Sequence, residues 1–190
     1  MNISEKIETH CKTKTYCRIT TGLEDDFETI MTGYILDFNN NFILIQETDD
    51  FIKHGYRIIP INMILDIRFN NNDKYIFKIH KKEGIYDEIK LPNYKINISN
   101  WVEIFKSLKS NVKCIISECE AFEHEYFCIG SIKRVNKKSV SIQYFNSQGF
   151  LDKENTKHNF EEITRVTFED KYSQVFSRYT RTRKTKQNEL

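Results

Sequence analysis

The segment Gly33-Tyr-Ile-Leu-Asp-Phe-Asn-Asn-Asn-Phe-Ile-Leu-Ile-Gln46 occurs a second time, in altered form, as Gly130-Ser-Ile-Lys-Arg-Val-Asn-Lys-Lys-Ser-Val-Ser-Ile-Gln143. The two copies align without a gap at an offset of 97 residues, and five positions are identical. The same offset pairs Cys17 with Cys114 and Asp73 with Asp170. A repeat of this length corresponds to one small domain, so the sequence predicts a tandem pair of like folds.

Short apolar runs separated by turn signals predict five strands in each copy. In the first copy they lie near residues 16–20, 29–38, 42–47, 56–60 and 64–69, and in the second near 112–118, 125–135, 139–145, 157–160 and 163–168. Asn tolerates left-handed backbone angles, so the asparagines at 39–41 predict the turn within the first quoted segment. Five short strands at this spacing are typical of a small antiparallel barrel.

Helices are expected beside each barrel. Ile3 and Ile7 are spaced for a short helix over residues 3–11 with Ser4 as its N-cap. A second helix, capped by Asn97 or Ser99, carries the clearest helical stripe of the chain, formed by Trp101, Ile104, Phe105 and Leu108. Asp170 is expected to cap a third. Residues 73–83, ending before Gly84, fit a helix and a strand equally well.

The predicted fold is therefore mainly β with flanking helices, as two tandem five-stranded antiparallel barrels. The expected boundaries are residues 1–84 for the first barrel with its helix and 85–97 for a linker. Residues 98–180 form the second barrel with its helices, and residues 181–190 form a disordered basic tail.

A short helix followed by five bent strands, with Gly-x-Ile-x-x-Phe-Asn before a tight turn, resembles the Sm-like fold of the Sm proteins and bacterial Sm-like host factors. The resemblance covers residues 3–69 and, more weakly, 99–168. It implies an SH3-like small barrel. RNA-binding Sm proteins place Asn after the turn hydrophobe and an Arg-Gly or Lys-His pair before the last strand. Here Phe42-Ile43 and Arg57-Ile-Ile-Pro60 stand at those places, so the resemblance does not imply the usual uridine pocket.

The composition is that of a globular chain, with 39% hydrophobic and 29% charged residues. The sequence has no apolar run long enough to span a membrane and no signal peptide, which favours the cytoplasm. Five cysteines without framework spacing fit a reducing compartment. Residues 1–96 carry 13 basic and 15 acidic side chains (net −2), and residues 97–190 carry 16 and 12 (net +4).

No catalytic or cofactor motif is expected. Cys114, Cys119, His124 and Cys128 lack the tight spacing of a zinc knuckle, so the prediction is that this protein binds no metal. The acidic runs Glu24-Asp25-Asp26 and Glu123-His124-Glu125 resemble solvated loops more than paired catalytic carboxylates. A metal-dependent enzyme is only the third hypothesis, and the prediction is that the protein is not an enzyme and needs no cofactor.

The leading hypothesis is a macromolecular interaction module with a protein partner, because the folded body is not basic. The alternative is binding of single-stranded nucleic acid, and a homo-oligomer joined through open strand edges is also expected to be accessible to this fold. The candidate contacts are the cations of the tail and of the second turn: Arg178, Arg181, Arg183, Lys184, Lys186, Lys133, Arg134, Lys137 and Lys138.

Overall fold

The computed structural model describes residues 1–22, 28–120 and 125–183. Within these residues the first half of the chain forms one helix, five strands and a second helix: α1 (Ile3–Thr13), β1 (Cys17–Thr21), β2 (Thr29–Phe38), β3 (Phe42–Asp49), β4 (Ile52–Pro60), β5 (Ile64–Arg68) and α2 (Asn71–Lys82). The second half repeats this order: α3 (Trp101–Asn111), β6 (Ile115–Cys119), β7 (Tyr126–Val135), β8 (Ser139–Tyr144), β9 (Thr156–Asn159), β10 (Arg165–Phe168) and α4 (Lys171–Phe176). The mainly β class with flanking helices is confirmed.

The strands form one antiparallel sheet of ten strands, in the order β5-β1-β2-β3-β4-β10-β6-β7-β8-β9. The expectation of two separate barrels is not confirmed, because the sheet is not closed and β4 pairs with β10. In that pairing Ile58 lies opposite Val166 and Tyr56 opposite Phe168. The two halves therefore share backbone hydrogen bonds, and the sheet keeps β5 and β9 as its edges.

Hydrophobic packing explains why the halves join. The first half has its own core of eleven buried residues around Ile7 of α1 and Ile45 of β3. A second core belongs to both halves, since Phe42, Leu44 and Ile58 pack there with residues of α3, β8 and β10. Strand β3 is thus apolar on both faces, one facing each core.

The helix ends correct two sequence expectations and decide a third that was open. Asn2 caps α1 and Asn100 caps α3, in place of Ser4 and of Asn97 or Ser99, because each Asn side chain accepts a hydrogen bond from the backbone of a Glu three residues later. Residues 71–82 are helical, with Asn70 as the N-cap and Gly84 in the left-handed conformation just after the end. Asp170 caps α4 as expected.

The register shows that the 97-residue offset does not hold along the whole chain. Gly33 pairs with Cys17, whereas Gly130 pairs with Ile115, so Cys17 corresponds to Ile115 and not to Cys114. A shift of one residue moves a side chain to the other face of a strand. Cys114 accordingly packs away from the shared core, against Ile116, Ile129 and Phe145.

The segments outside the predicted barrels are also packed against the body. In residues 85–97, Ile89 is fully buried and the backbone N–H of Lys90 donates to Gln46 Oε1 at 3.0 Å. In the tail, Arg181 forms a bridge with Phe150. Residues 184–190, which include Lys184 and Lys186, lie outside the described part of the chain.

Candidate interaction surfaces

A large cleft lies where the two halves meet, and we call it the junction cleft. Its volume is about 800 Å³. The first half contributes the β2–β3 turn at Asn40 and Asn41 and the β4–β5 turn at residues 60–63. The second half contributes the start of α3 and the β9–β10 turn at residues 160–164. Clefts of this size between structural units are common binding sites.

Asn39 fixes the first-half turn against the second half. Its Oδ1 accepts hydrogen bonds from the backbone N–H groups of Asn41 at 2.7 Å and Phe42 at 2.8 Å. Its Nδ2 donates to the carbonyl oxygen of Ile98 at 2.6 Å. The side chain thus sets the turn and ties it to the segment leading into α3, which leaves the amides of Asn40 and Asn41 exposed at the cleft.

A run of aromatic rings extends from one side of the junction cleft to the other. Phe42 contacts Trp101 edge to face at 4.8 Å between ring centroids. Trp101 contacts Phe105 at 5.6 Å, and Phe105 stacks on Phe160 at 5.6 Å. Phe42, Trp101 and Phe160 all line the cleft. Trp101 and Phe160 are partly exposed, so their rings offer aromatic surface to a ligand.

The charges at the junction cleft are negative. Among the described residues that line it, the charged ones are Glu161 and Glu162, and none is Lys, Arg or His. Glu162 accepts hydrogen bonds from the backbone and side chain of Asn159, whereas Glu161 is exposed. The exposed residues Asn40, Asn41 and Asn62 add side-chain amides to the lining.

The cations predicted at the second turn belong to a different surface. Arg134 of β7 lies opposite Ser141 of β8, which lies opposite Lys157 of β9. Directly opposed residues share one face of a sheet, so these three side chains form a row that ends at the sheet edge. We call it the cationic row. Lys133, Lys137 and Lys138 are exposed beside it, and Lys109 of α3 donates from Nζ to the carbonyl oxygen of Lys133 at 2.6 Å. Sequence reasoning missed Lys109 and Lys157.

The tail cations lie at the other end of the β7–β8 hairpin. The Arg181 guanidinium lies 4.3 Å and that of Arg183 5.5 Å from the ring centroid of Phe150. The backbone N–H of Arg181 donates to Gly149 at 2.8 Å. Strand β8 has six residues, which spans about 20 Å, so the two predicted sets of cations do not form one surface. Arg178 is exposed beyond α4.

Five charged side chains lie on the two sides of the junction on the sheet, and we call them the charged seam. Arg57 Nε of β4 lies 2.8 Å from Glu47 Oε2 of β3. Across the junction, Arg165 of β10 donates two hydrogen bonds to Glu118, at 2.6 and 2.7 Å, and contacts Glu120 at 2.8 Å. Burial raises the pKa of Glu47, although Arg57 beside it acts in the opposite direction. Each ion pair lies within one half, and the two sets meet side by side at the junction, where the charge of Arg165 also acts to lower the pKa of Glu47.

The remaining sequence candidates are not brought together. Among described residues, no group of three or more His, Cys, Asp or Glu side chains is placed to hold a metal ion. Cys114 and Cys128 pack in different apolar clusters. His124, Glu123 and the run at 24–26 lie outside the described residues, while Glu125 is exposed. Across the described ranges, no helix is long and apolar enough to cross a membrane.

Comparison with known proteins gives no relative: neither a protein family, nor a curated protein, nor a solved structure matches this chain. The surfaces themselves therefore carry the functional argument. The junction cleft escaped sequence reasoning because its residues come from five separate segments. One signal was available, since Trp101 is the only tryptophan and begins a helix with a clear apolar stripe.

Proposed function

We propose that this protein is a non-catalytic interaction module that binds an extended segment of a partner protein in the junction cleft. The observation that carries the proposal is the lining of the cleft, which combines aromatic rings and side-chain amides with no cation among the described residues. Aromatic side chains are frequent anchors of protein interfaces. Asparagine amides both donate and accept hydrogen bonds, so they suit a peptide backbone.

The same lining argues against a phosphate ligand in this cleft. Nucleic-acid backbones are held mainly by Lys and Arg, and their affinity depends on neutralising phosphates. The carboxylates of Glu161 and Glu162 would repel a phosphate at this position. A protein segment is therefore the favoured ligand of the junction cleft.

The test uses Trp101 as the reporter, because it is the only tryptophan of the chain and lines the cleft. Peptides would be selected from a displayed random library on the full-length protein and then titrated while Trp101 emission is followed. We expect bound peptides to change that emission. We also expect Asn62→Arg, which places a large cation at the cleft, to weaken binding at least tenfold.

The matched control is Asn72→Arg, the same substitution at an exposed asparagine of α2 away from the cleft. Binding by this variant should stay within about twofold of the wild type. Failure to select any peptide would contradict the proposed function. Peptides that bind Asn62→Arg as tightly as the wild type would instead place the site elsewhere.

A second candidate function, binding of single-stranded nucleic acid, is supported by the cationic row. Arg134 and Lys157 flank Ser141 on an exposed face, with three further lysines at the adjoining turn. Fluorescence anisotropy of labelled single-stranded RNA and DNA over a salt series would compare three proteins: the full chain, a chain ending at Tyr179, and Arg134→Ala/Lys157→Ala. Salt-sensitive binding lost only in the double variant would assign it to the row. Loss only on truncation would assign it to the tail, and no binding at low salt would rule this candidate out.

We also propose that each half is an opened version of the Sm-like barrel that the sequence resembles, and that the halves are tandem copies. Support comes from the sheet, in which β5-β1-β2-β3-β4 and β10-β6-β7-β8-β9 follow the same order. A bulge also falls at the same place in both hairpins, between Ile35 and Asp37 and between Ile132 and Arg134.

A further inference from the structure

The junction between the halves shows how this fold binds another unit like itself. Its backbone contact is the pairing of β4 with β10, where Ile58 lies opposite Val166. Its side-chain contact is apolar, since Phe42, Leu44 and Ile58 of the first half lie in one cluster with Ile104 and Leu108 of α3. A third unit could in principle add in the same way, because β9 and β5 are the free edges of the sheet.

At the β9 edge, the positions that make the junction are polar. Leu44 pairs with Ile58 in the first half, and Ser141 pairs with Lys157 at the same place in the second. Phe42 likewise corresponds to Ser139. Three apolar side chains of the junction face are therefore replaced by two hydroxyls and one ammonium group.

At the β5 edge, apolar residues of α3 are replaced by polar residues at the matching positions of α1. Asn2 and Asn100 are equivalent N-caps, so helix positions can be matched by counting from them. Four residues after the cap, Ile104 of α3 corresponds to Lys6 of α1. Eight residues after the cap, Leu108 corresponds to His10. Lys6 Nζ pairs with Asp66 Oδ1 of β5 at 2.6 Å, and both residues line the groove between α1 and β5. The matching residues of α3 lie instead in the shared apolar core.

We propose that the chain is a two-unit assembly whose outer faces are altered so that a further copy cannot add head to tail. Joining two copies through β9 and β5 would bring Lys157 of one copy towards Lys6 of the next, and would bury the half-exposed hydroxyl of Ser141 without a partner. Like charges at such a contact, and buried polar groups left unpaired, oppose association. Terminal units of repeat arrays carry polar outer faces for the same reason. This proposal replaces the sequence expectation of a homo-oligomer joined through strand edges.

The test restores the junction residues at both faces. The variant Ser141→Leu/Lys157→Ile/Lys6→Ile would be compared with the wild type by light scattering after size exclusion, at concentrations up to about 200 µM. We expect the variant to reach at least twice the mass of the wild type as concentration rises. Circular dichroism and the thermal midpoint establish that the variant is folded.

A proline variant distinguishes association by strand pairing from nonspecific association of the added apolar side chains. The backbone N–H of Phe160 donates to Lys138 at 2.9 Å, so by antiparallel alternation the N–H of Lys157 points away from β8. Replacing Lys157 by Pro instead of Ile, with the other two changes kept, removes that outward donor and leaves the pairing with β8 intact. This control should keep the wild-type mass. The proposal is overturned if the folded variant Ser141→Leu/Lys157→Ile/Lys6→Ile keeps the wild-type mass. It is also overturned if the single substitution Lys157→Pro lowers the mass below that of the wild type, because the wild type would then already associate through β9.

Discussion

At the residue scale, the repeated glycine of the two halves, Gly33 and Gly130, has a steric cause. A Cβ at Gly33 would lie 2.2 Å from the carbonyl oxygen of Gln46, and one at Gly130 would lie 2.0 Å from that of Gln143. Both obstacles are backbone atoms of the neighbouring strand. The glycines are therefore required by close approach of the strands.

We predict that Gly130→Ala lowers the free energy of unfolding by about 2 kcal/mol or more, because β7 and β8 must separate to admit the methyl group. Urea denaturation measures the change. Gly84→Ala is the comparison, since Gly84 has a φ of 77° but no atom within 4 Å of a Cβ. It should cost only about 1 kcal/mol for the left-handed backbone. An equal cost for the two variants would contradict the close-approach argument.

His80 is a fully buried histidine held in its neutral form. Its Nε2 lies 2.7 Å from the carbonyl oxygen of Asp50, which can only accept, so Nε2 carries the proton. Nδ1 then accepts from the Tyr34 hydroxyl at 2.7 Å. Burial lowers the pKa of His80, and it also lowers those of His10 and His158.

These shifts predict that the protein loses stability as the pH falls below about 6.5. The unfolded chain takes up protons at the ordinary histidine pKa, whereas the folded chain resists until lower pH, so protonation favours unfolding in that window. Urea denaturation at pH 7.5 and 5.5 should show the decrease. His80→Gln keeps one donor and one acceptor but does not titrate, and it should show a smaller decrease. If His80→Gln loses as much stability between pH 7.5 and 5.5 as the wild type, His80 does not contribute to the pH dependence.

At the scale of elements, the charged seam lies where strands of the two halves meet. Arg165 of β10 pairs with Glu118 of β6 and with Glu120 just after it. On the first-half side, Arg57 pairs with Glu47. The Arg165 side chain is 14% exposed, so its removal would leave partly buried carboxylates without a cation. Breaking a buried pair in this way is costly.

We predict that Arg165→Met lowers the free energy of unfolding by about 2–4 kcal/mol. Adding Glu118→Gln should recover at least about 1 kcal/mol, because the uncompensated charge is then removed. Chemical denaturation of the single and double variants checks both values. The exposed pair of Lys12 and Glu8 in α1 provides the contrast, and Lys12→Met should cost less than about 0.5 kcal/mol. No recovery in the double variant would contradict the electrostatic explanation.

Strands and helix stripes could be predicted from local patterns, but the pairing between halves could not. One signal of it was present in the sequence: residues 42–45 are all apolar, whereas residues 139–142 alternate between hydroxyl and apolar side chains. A run that is apolar on both faces needs a second covering layer, and here that layer is α3 with β10. Local pattern does not say which segment supplies the layer, because that depends on contacts distant in sequence.

The junction cleft and cationic row show the same limit. The cations at residues 133–138 were visible in the sequence, but Lys157 joins them only through the register of β8 and β9. Trp101 was expected on the apolar face of its helix, and it does pack on Phe42. The Trp101 ring is partly exposed at a cleft because turns of the first half form the facing walls. The apolar pattern of the helix gives no information about those turns.

At the scale of the whole molecule, the halves make one unit because each completes the other. Phe42, Leu44, Tyr56 and Ile58 of the first half are buried only where α3 and β10 cover them. On the corresponding face of the second half, Ser141 is half-buried and Lys157 is exposed, so these positions need no cover. The junction therefore stabilises the fold, forms the cleft and leaves β9 as a polar edge.

The most direct test of this account is amide hydrogen exchange measured by NMR at Ile58 and Lys157. These residues hold equivalent places in β4 and β9, and both N–H groups point away from the preceding strand. In a continuous ten-stranded sheet the Ile58 amide is bonded to β10 and should exchange at least about 10³-fold more slowly than that of Lys157. Equally fast exchange at the two positions would show that the halves are not joined through β4 and β10, and would contradict the account.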